Sequence, residues 1–267
     1  MKAMIDMYLG TMKISILQQF QYRAANYFYM IGMVAEPVIY LVVWSTVANA
    51  QGGSVGGYTA QGFAAYYIVW TLVRNMNIVL TPYDWESRIR RGQLSADLLR
   101  PTHPIHLDIG YFAGWKFVAI VMWLPIAAVL ALAFRPMISP TPVELAGFAV
   151  AIWGGFCVRF FLQWALGLLS FWITRVSAIF ELYFTIELLF SGRLVPLSLM
   201  PEWAQQIAAL LPFKWAFQFP IETLIGQLTT EQILSGLGMQ ALWTAIGITI
   251  VGIVWRAALR RYAAVGN

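Results

Sequence analysis

A chain of 267 residues, 60% hydrophobic and only 11% charged, carries too little polar surface to keep a domain of that size dissolved in water, since soluble domains run near a quarter charged. A mean hydropathy of +0.69 and a net charge of +5 fit a membrane domain whose basic loops face anionic lipid rather than nucleic acid. The single cysteine, Cys157, excludes a disulfide framework.

Residues 2–24 come first. At helical spacing Ile5, Tyr8, Leu9, Met12 and Ile16 share a face, with Thr11, Ser15 and Gln18 opposite and Lys2, Asp6 and Lys13 flanking. That pattern predicts a helix lying in the inner membrane interface. The first long apolar run begins near Asn26, later than in a cleavable signal, so no cleavage is expected. A spanning helix needs about 20 apolar residues. Six runs qualify: 26–48, 60–80, 108–134, 144–172, 178–198 and 234–255. The expected fold class is therefore an all-α membrane protein, one transmembrane domain over 1–267, with QGGSVGGY (51–58) as a short outer turn.

Orientation follows from loop cations. With the N-terminus inside, the cytoplasmic set is Lys2, Lys13, Arg23, Arg88, Arg90, Arg91, Arg100, Arg175, Arg256, Arg260 and Arg261. The outer set is Arg135, Arg193 and Lys214, while Arg74, Lys116 and Arg159 fall within or near spans. Both termini are expected in the cytoplasm of a plasma-membrane protein.

The longest inner loop, 81–106, reads as a short basic helix capped by Thr81 with Pro82 at its first position. Gly92 stops it, and a second short element shows Leu94, Leu98 and Leu99. Positive-inside charge accounts for the arginines alone. Leucines beside them suggest a docking knob for a soluble partner. Residues 191–232 are apolar but broken by Pro196, Pro201, Pro212 and Pro220, leaving helices between Pro201 and Pro212 and from Phe213 to Gly226 that are too short to span. They read as outer re-entrant or interfacial helices, either a cap or a gate. Glu36, Arg159, Glu181 and Glu187 lie inside the predicted spans. Such charges normally face an interior and pair, and Arg159 and Glu187 are a candidate pair.

The chain contains no GxxxxGK[ST], HExxH or CxxC motif, so it has no Walker-type nucleotide site; its one GxSxG string, Gly52 to Gly56, lies in the short Gly-rich turn rather than between a strand and a helix, so no catalytic cluster is recognisable. His103 and His106 sit among prolines without a third ligand nearby and read as loop residues rather than a metal site.

Three segments taken together, RIRRGQLSADLLRP (88–101), SGRLVPLSLMP (191–201) and LPFKWAFQFPIETLIG (211–226), on six spans behind a leading interfacial helix, resemble an ABC-2-type permease. That is the membrane subunit of an ATP-binding-cassette transporter whose ATPase is a separate chain. The resemblance implies a coupling helix within 82–101, carried here by Arg88, Ile89, Arg90, Arg91, Gly92, Leu94, Leu98, Leu99, Arg100 and Pro101. It also implies an outer re-entrant segment over 199–232, with Pro201, Pro212, Phe213, Pro220 and Gly226. A second permease chain, as homo- or heterodimer, would complete the unit, with ATP and magnesium on the ATPase subunits and no cofactor in this chain. The competing readings are a secondary transporter or channel, a membrane-embedded lipid-modifying enzyme, or an assembly factor. The first predicts a polar midplane path and the second a tight polar cluster; neither is evident in the residues.

Overall fold

The computed structural model describes residues 2–173 and 176–261. Arg175 of the basic set and the tail beyond Arg261 lie outside the described residues. The chain runs through α1 (Lys2–Gln21), α2 (Arg23–Ala50), a two-residue-per-strand hairpin of β1 (Ser54–Val55) and β2 (Tyr58–Thr59), then α3 (Ala60–Met76), α4 (Thr81–Arg90), α5 (Leu94–Leu98), α6 (Pro104–Phe134), α7 (Pro142–Gly167), α8 (Ser177–Phe190), α9 (Glu202–Leu210), α10 (Pro212–Ala216), α11 (Gln218–Leu224) and α12 (Thr230–Arg261).

Among the described residues, five helical stretches are long and apolar enough to cross a membrane: Arg23–Ala50, Ala60–Arg90, Pro104–Phe134, Pro142–Phe171 and Thr230–Arg261. The expected span over 178–198 is not continuous. Helix α8 has 14 residues, about 21 Å at 1.5 Å per residue, against about 30 Å of hydrocarbon. It ends where Gly192 takes φ +80°, and a side chain there would meet the Tyr66 hydroxyl at 2.6 Å. The non-helical backbone that follows is not abandoned. Tyr66 Oη donates to the Gly192 carbonyl (2.8 Å), and Tyr67 Oη (2.9 Å) and Trp44 Nε1 (3.2 Å) donate to Leu194. Irregular backbone survives in an apolar surround only when protein groups satisfy it in this way.

Helix α3 is apolar on all sides and is buried nearly throughout, the pattern of a central helix. It is packed by α2, α6, α7 and α11. The tightest pairing is α7 with α12, made possible by glycine. A Cβ on Gly147 would meet Ile233 at 2.8 Å, and one on Gly247 would meet the Phe161 Cβ at 2.8 Å. Gln240 of α12 then donates to the Ala151 and Trp215 carbonyls, each at 2.8 Å. Small residues let helix backbones approach where dispersion and hydrogen bonds must supply the association energy.

Helix α1 packs lengthwise and parallel along the first turns of α6, from Tyr8 on His106 to Ser15 beside Gly114. Gly110 and Gly114 form a GxxxG face; a Cβ on Gly114 would meet the Met12 carbonyl oxygen at 2.6 Å. The covered stripe is thus Tyr8, Thr11, Met12, Ser15 and Ile16, with Ile5, Leu9, Ile14 and Leu17 left outward. This corrects the grouping by hydrophobicity, which set Thr11 and Ser15 opposite Tyr8 and Met12. Close helix approach selects small side chains, whatever their polarity.

Candidate functional site

The sequence-predicted docking loop forms a compact head. Thr81 opens α4 but does not cap it; the cap position falls on Leu80, without a side-chain hydrogen bond. Gly92, at φ +68°, turns the chain into α5. Leu94, expected to be displayed, is fully buried in a cluster with Trp85, Trp164 and Trp255, while Leu98 and Ile89 are half-buried against that cluster. Only Leu99, 88% exposed, stands out, among exposed Arg90, Arg91, Gly92, Arg100 and Pro101. The correction has a simple cause: the short α5 needs an anchor, and Leu94 is its inward residue.

The head is braced on the helices behind it. Arg88 Nη2 lies 2.7 Å from Asp108 Oδ1 and 2.6 Å from Asp84 Oδ2, and Trp164 Nε1 donates to Asp108 Oδ2 at 2.9 Å. Arg88 therefore faces inward rather than outward. Trp85 rests on Gly167, where a Cβ would meet its ring at 2.7 Å. His103 caps α6 through Nδ1 (3.2 Å from the Ile105 amide) and packs at a tilt against Trp255 with ring centroids 4.5 Å apart, while His106 Nδ1 lies 2.6 Å from the Tyr8 hydroxyl. Burial first, and then His106 nearby, hold the His103 pKa below the ordinary histidine value against the opposing pull of Asp108. Among the described residues no group of three His, Cys, Asp or Glu side chains is arranged for a metal ion. A cleft of about 730 Å³ lies between this head, α1 and α6, lined by Asp84, Arg88, Asp97, Arg100 and Trp115.

Above α4 the helix is interrupted at residues 77–80. The freed carbonyls are taken by two cations. Fully buried Lys116 of α6 donates to the Ile78 carbonyl, with Asn75 O at 3.4 Å, and its ammonium lies 4.7 Å from the Trp115 ring centroid. Arg159 of α7 donates through Nη1 to the Asn77 carbonyl. The Asn77 side chain reaches in turn to the Ala216 carbonyl at 2.8 Å, where Phe217 breaks α10 from α11. The proline-rich segment therefore reaches the helix break instead of lying wholly on the surface, and its second expected helix, Phe213 to Gly226, is two short helices. Pro212 opens α10, Pro220 lies buried in α11, and Gly226, at φ +74°, ends the segment beside Glu144. Pro201 precedes α9.

The same Arg159 grips Glu187 of α8 with two bonds, Nε–Oε2 at 2.8 Å and Nη2–Oε1 at 2.9 Å. Glu36 receives two arginines: Arg74 Nη1 at 2.9 Å, and Arg193 through Nη2 at 2.7 Å and Nε at 3.1 Å. Arg193, assigned to the outer charge set from its position after a span, is thereby tied to the middle of α2. Glu181 is not among these ions. It is exposed, and its carboxylate Oε1 lies 3.4 Å from the Tyr83 hydroxyl. Between the two ion clusters lies a cavity of about 190 Å³ lined by Trp70, Arg74, Arg159, Phe184, Glu187 and Arg193. Sequence reasoning noted Lys116 only as within or near a span and gave no role to Asp108, Asn75 or Asn77. A lone lysine inside an apolar run was the available signal; nothing in spacing announces which carbonyls it serves.

No curated protein and no solved structure matches this chain. A family model described as ABC-2 family transporter protein matches residues 34–266, from within α2 through α12. That match, over helices that suit a multi-pass membrane protein, places this chain in the ABC-2 family of transporter membrane proteins.

Proposed function

We propose that this chain is the permease subunit of an ABC exporter, driven by a separate ATPase that docks on α4–α5, and that it works as a homo- or heterodimer. On this reading the α4–α5 head and both termini face the cytoplasm of the plasma membrane, and residues 199–232 form the outer re-entrant segment. ATP and magnesium belong to the partner, because the chain has no phosphate-cradling loop among its 267 residues.

The observation that carries the proposal is the continuous tie from head to membrane interior. Trp85 and Arg88 fix α4 to α6 and α7. The break at 77–80 is gripped by Lys116 and Arg159, and Arg159 holds α8 through Glu187. Closure of paired ATPases on ATP would push the head, shift the break, and move Arg159 and Glu187 with it. The membrane helices then switch between two arrangements, each open to one side. A secondary transporter has no use for a basic head with an exposed leucine at its tip.

The test is Leu99→Asp. Insertion and thermal stability should stay near wild type, because Leu99 contacts little, while co-purification of the ATPase and ATP-driven transport should be lost. Full retention of the ATPase by this variant overturns the docking assignment. Leu94→Asp is the contrasting variant: it should unfold the head, since that side chain is fully buried.

A further inference from the structure

The cavity between α2, α3, α7 and α8 carries a surplus of positive charge. Among the described residues around it, three guanidinium groups (Arg74, Arg159, Arg193) meet two carboxylates, Glu36 and Glu187. Arg159 is held by Glu187 and Asn77. Arg74 and Arg193 converge on one carboxylate, Glu36, and keep 21% and 28% of their side-chain surface open. Both also lie over the same indole, 5.2 and 5.7 Å from the Trp70 ring centroid.

Two like charges sharing one carboxylate repel each other strongly where water is scarce. A second anion entering the cavity relieves that repulsion. The volume, about 190 Å³, admits a phosphate or carboxylate with a few attached atoms and little more. Tyr29 of α2, Phe184 of α8 and Phe217 add aromatic walls, and Ile78, Val79 and Leu80 of the helix break add aliphatic ones. On the helices flanking the cavity, Ile39, Val42, Leu182 and Leu189 are exposed, an apolar surface along which a tail can leave.

We propose that Arg74 and Arg193 form the headgroup subsite for an anionic amphiphile, one phosphate or carboxylate on an apolar tail, and that this is the class of molecule the permease carries. The proposal rests on the transport reading above, but its test does not involve the ATPase, so the two can fail separately.

The full-length chain in phosphatidylcholine nanodiscs is titrated with radiolabelled dodecyl phosphate. Saturable binding is expected, with dodecanol and dodecyltrimethylammonium competing at least about tenfold more weakly. Arg193→Gln should weaken binding about tenfold and Arg193→Lys only slightly. Glu36→Gln should strengthen it, because removing the resident carboxylate enlarges the surplus. Weakening by Glu36→Gln, or equal affinity of the wild-type chain for dodecyl phosphate and dodecanol, overturns the proposal. The wild-type comparison decides the matter even where a variant fails to fold. A second arm adds phosphatidic acid to the nanodisc: displacement of the probe identifies a membrane lipid as the source of the anionic head, and undiminished binding identifies a smaller amphiphile.

Discussion

Truncating Glu187 to alanine removes both carboxylate oxygens from Arg159. The two side chains are 11% and 8% exposed, so the orphaned guanidinium meets little water to replace its partner and is left with neutral acceptors, the Asn77 carbonyl and the Gln163 amide oxygen. Breaking one side of a buried pair costs about 3–5 kcal/mol. At about 2–4 °C per kcal/mol for a chain of this size, the melting temperature should fall by roughly 6–20 °C. The double variant Arg159→Met with Glu187→Leu removes both charges and keeps the volume. It should recover most of the loss, remaining about 1 kcal/mol below wild type because the Asn77 carbonyl has lost a donor. If the pair links the helix break to α8, the double variant should nonetheless lose ATP-driven transport while staying folded. Thermal unfolding of the detergent-solubilised chain and transport in vesicles containing the ATPase separate the two effects. A Glu187→Ala protein melting within about 4 °C of wild type would refute the burial argument; a double variant that transports normally would refute the mechanical one.

Gly114→Leu should push α1 off α6, because the new Cβ meets Met12 backbone rather than a yielding side-chain end. A loss of about 1–3 kcal/mol and faster protease cleavage at Lys13 are expected, whereas Gly10→Leu, with nothing within 4 Å of its Cβ, should show neither. His103 adds a pH dependence. Its folded pKa is lowered, so the unfolded chain binds more protons; its contribution is complete above about pH 6.5 and is lost as pH falls from there toward the folded value. The melting temperature of wild type relative to His103→Asn should therefore decline on going from pH 7.5 to 5.5, and a relative rise would contradict the assignment.

Most long helices were legible because a bilayer imposes one simple rule, about 20 apolar residues per crossing, and α2, α6, α7 and α12 satisfy it without help. The 178–198 run satisfies the same rule, yet its helix stops at Phe190. Hydropathy counts side chains and is blind to backbone hydrogen bonding; Gly192 and the tyrosines that accept its break decide the matter. The α4–α5 head was legible in outline from Pro82, Gly92 and Pro101. Which leucine faced out was not, since α5 is too short to show a periodicity. The Arg159–Glu187 pair was suggested by depth in adjacent runs. The clustering of Arg193 with Glu36 was not, because 157 residues separate them and Arg193 follows a run that hydropathy reads as ending outside.

The sequence by itself determined that this chain belongs in a membrane, which of its loops are basic, and that it carries no GxxxxGK[ST] string, because each of those depends on composition or a local motif. Tertiary structure alone decided which charges meet, that a lysine and an arginine seal the interruption between α3 and α4, and that two arginines share one carboxylate beside a cavity. Those outcomes depend on distances between residues far apart in the chain, and such distances are set by how glycine-lined helices pack, not by local preference.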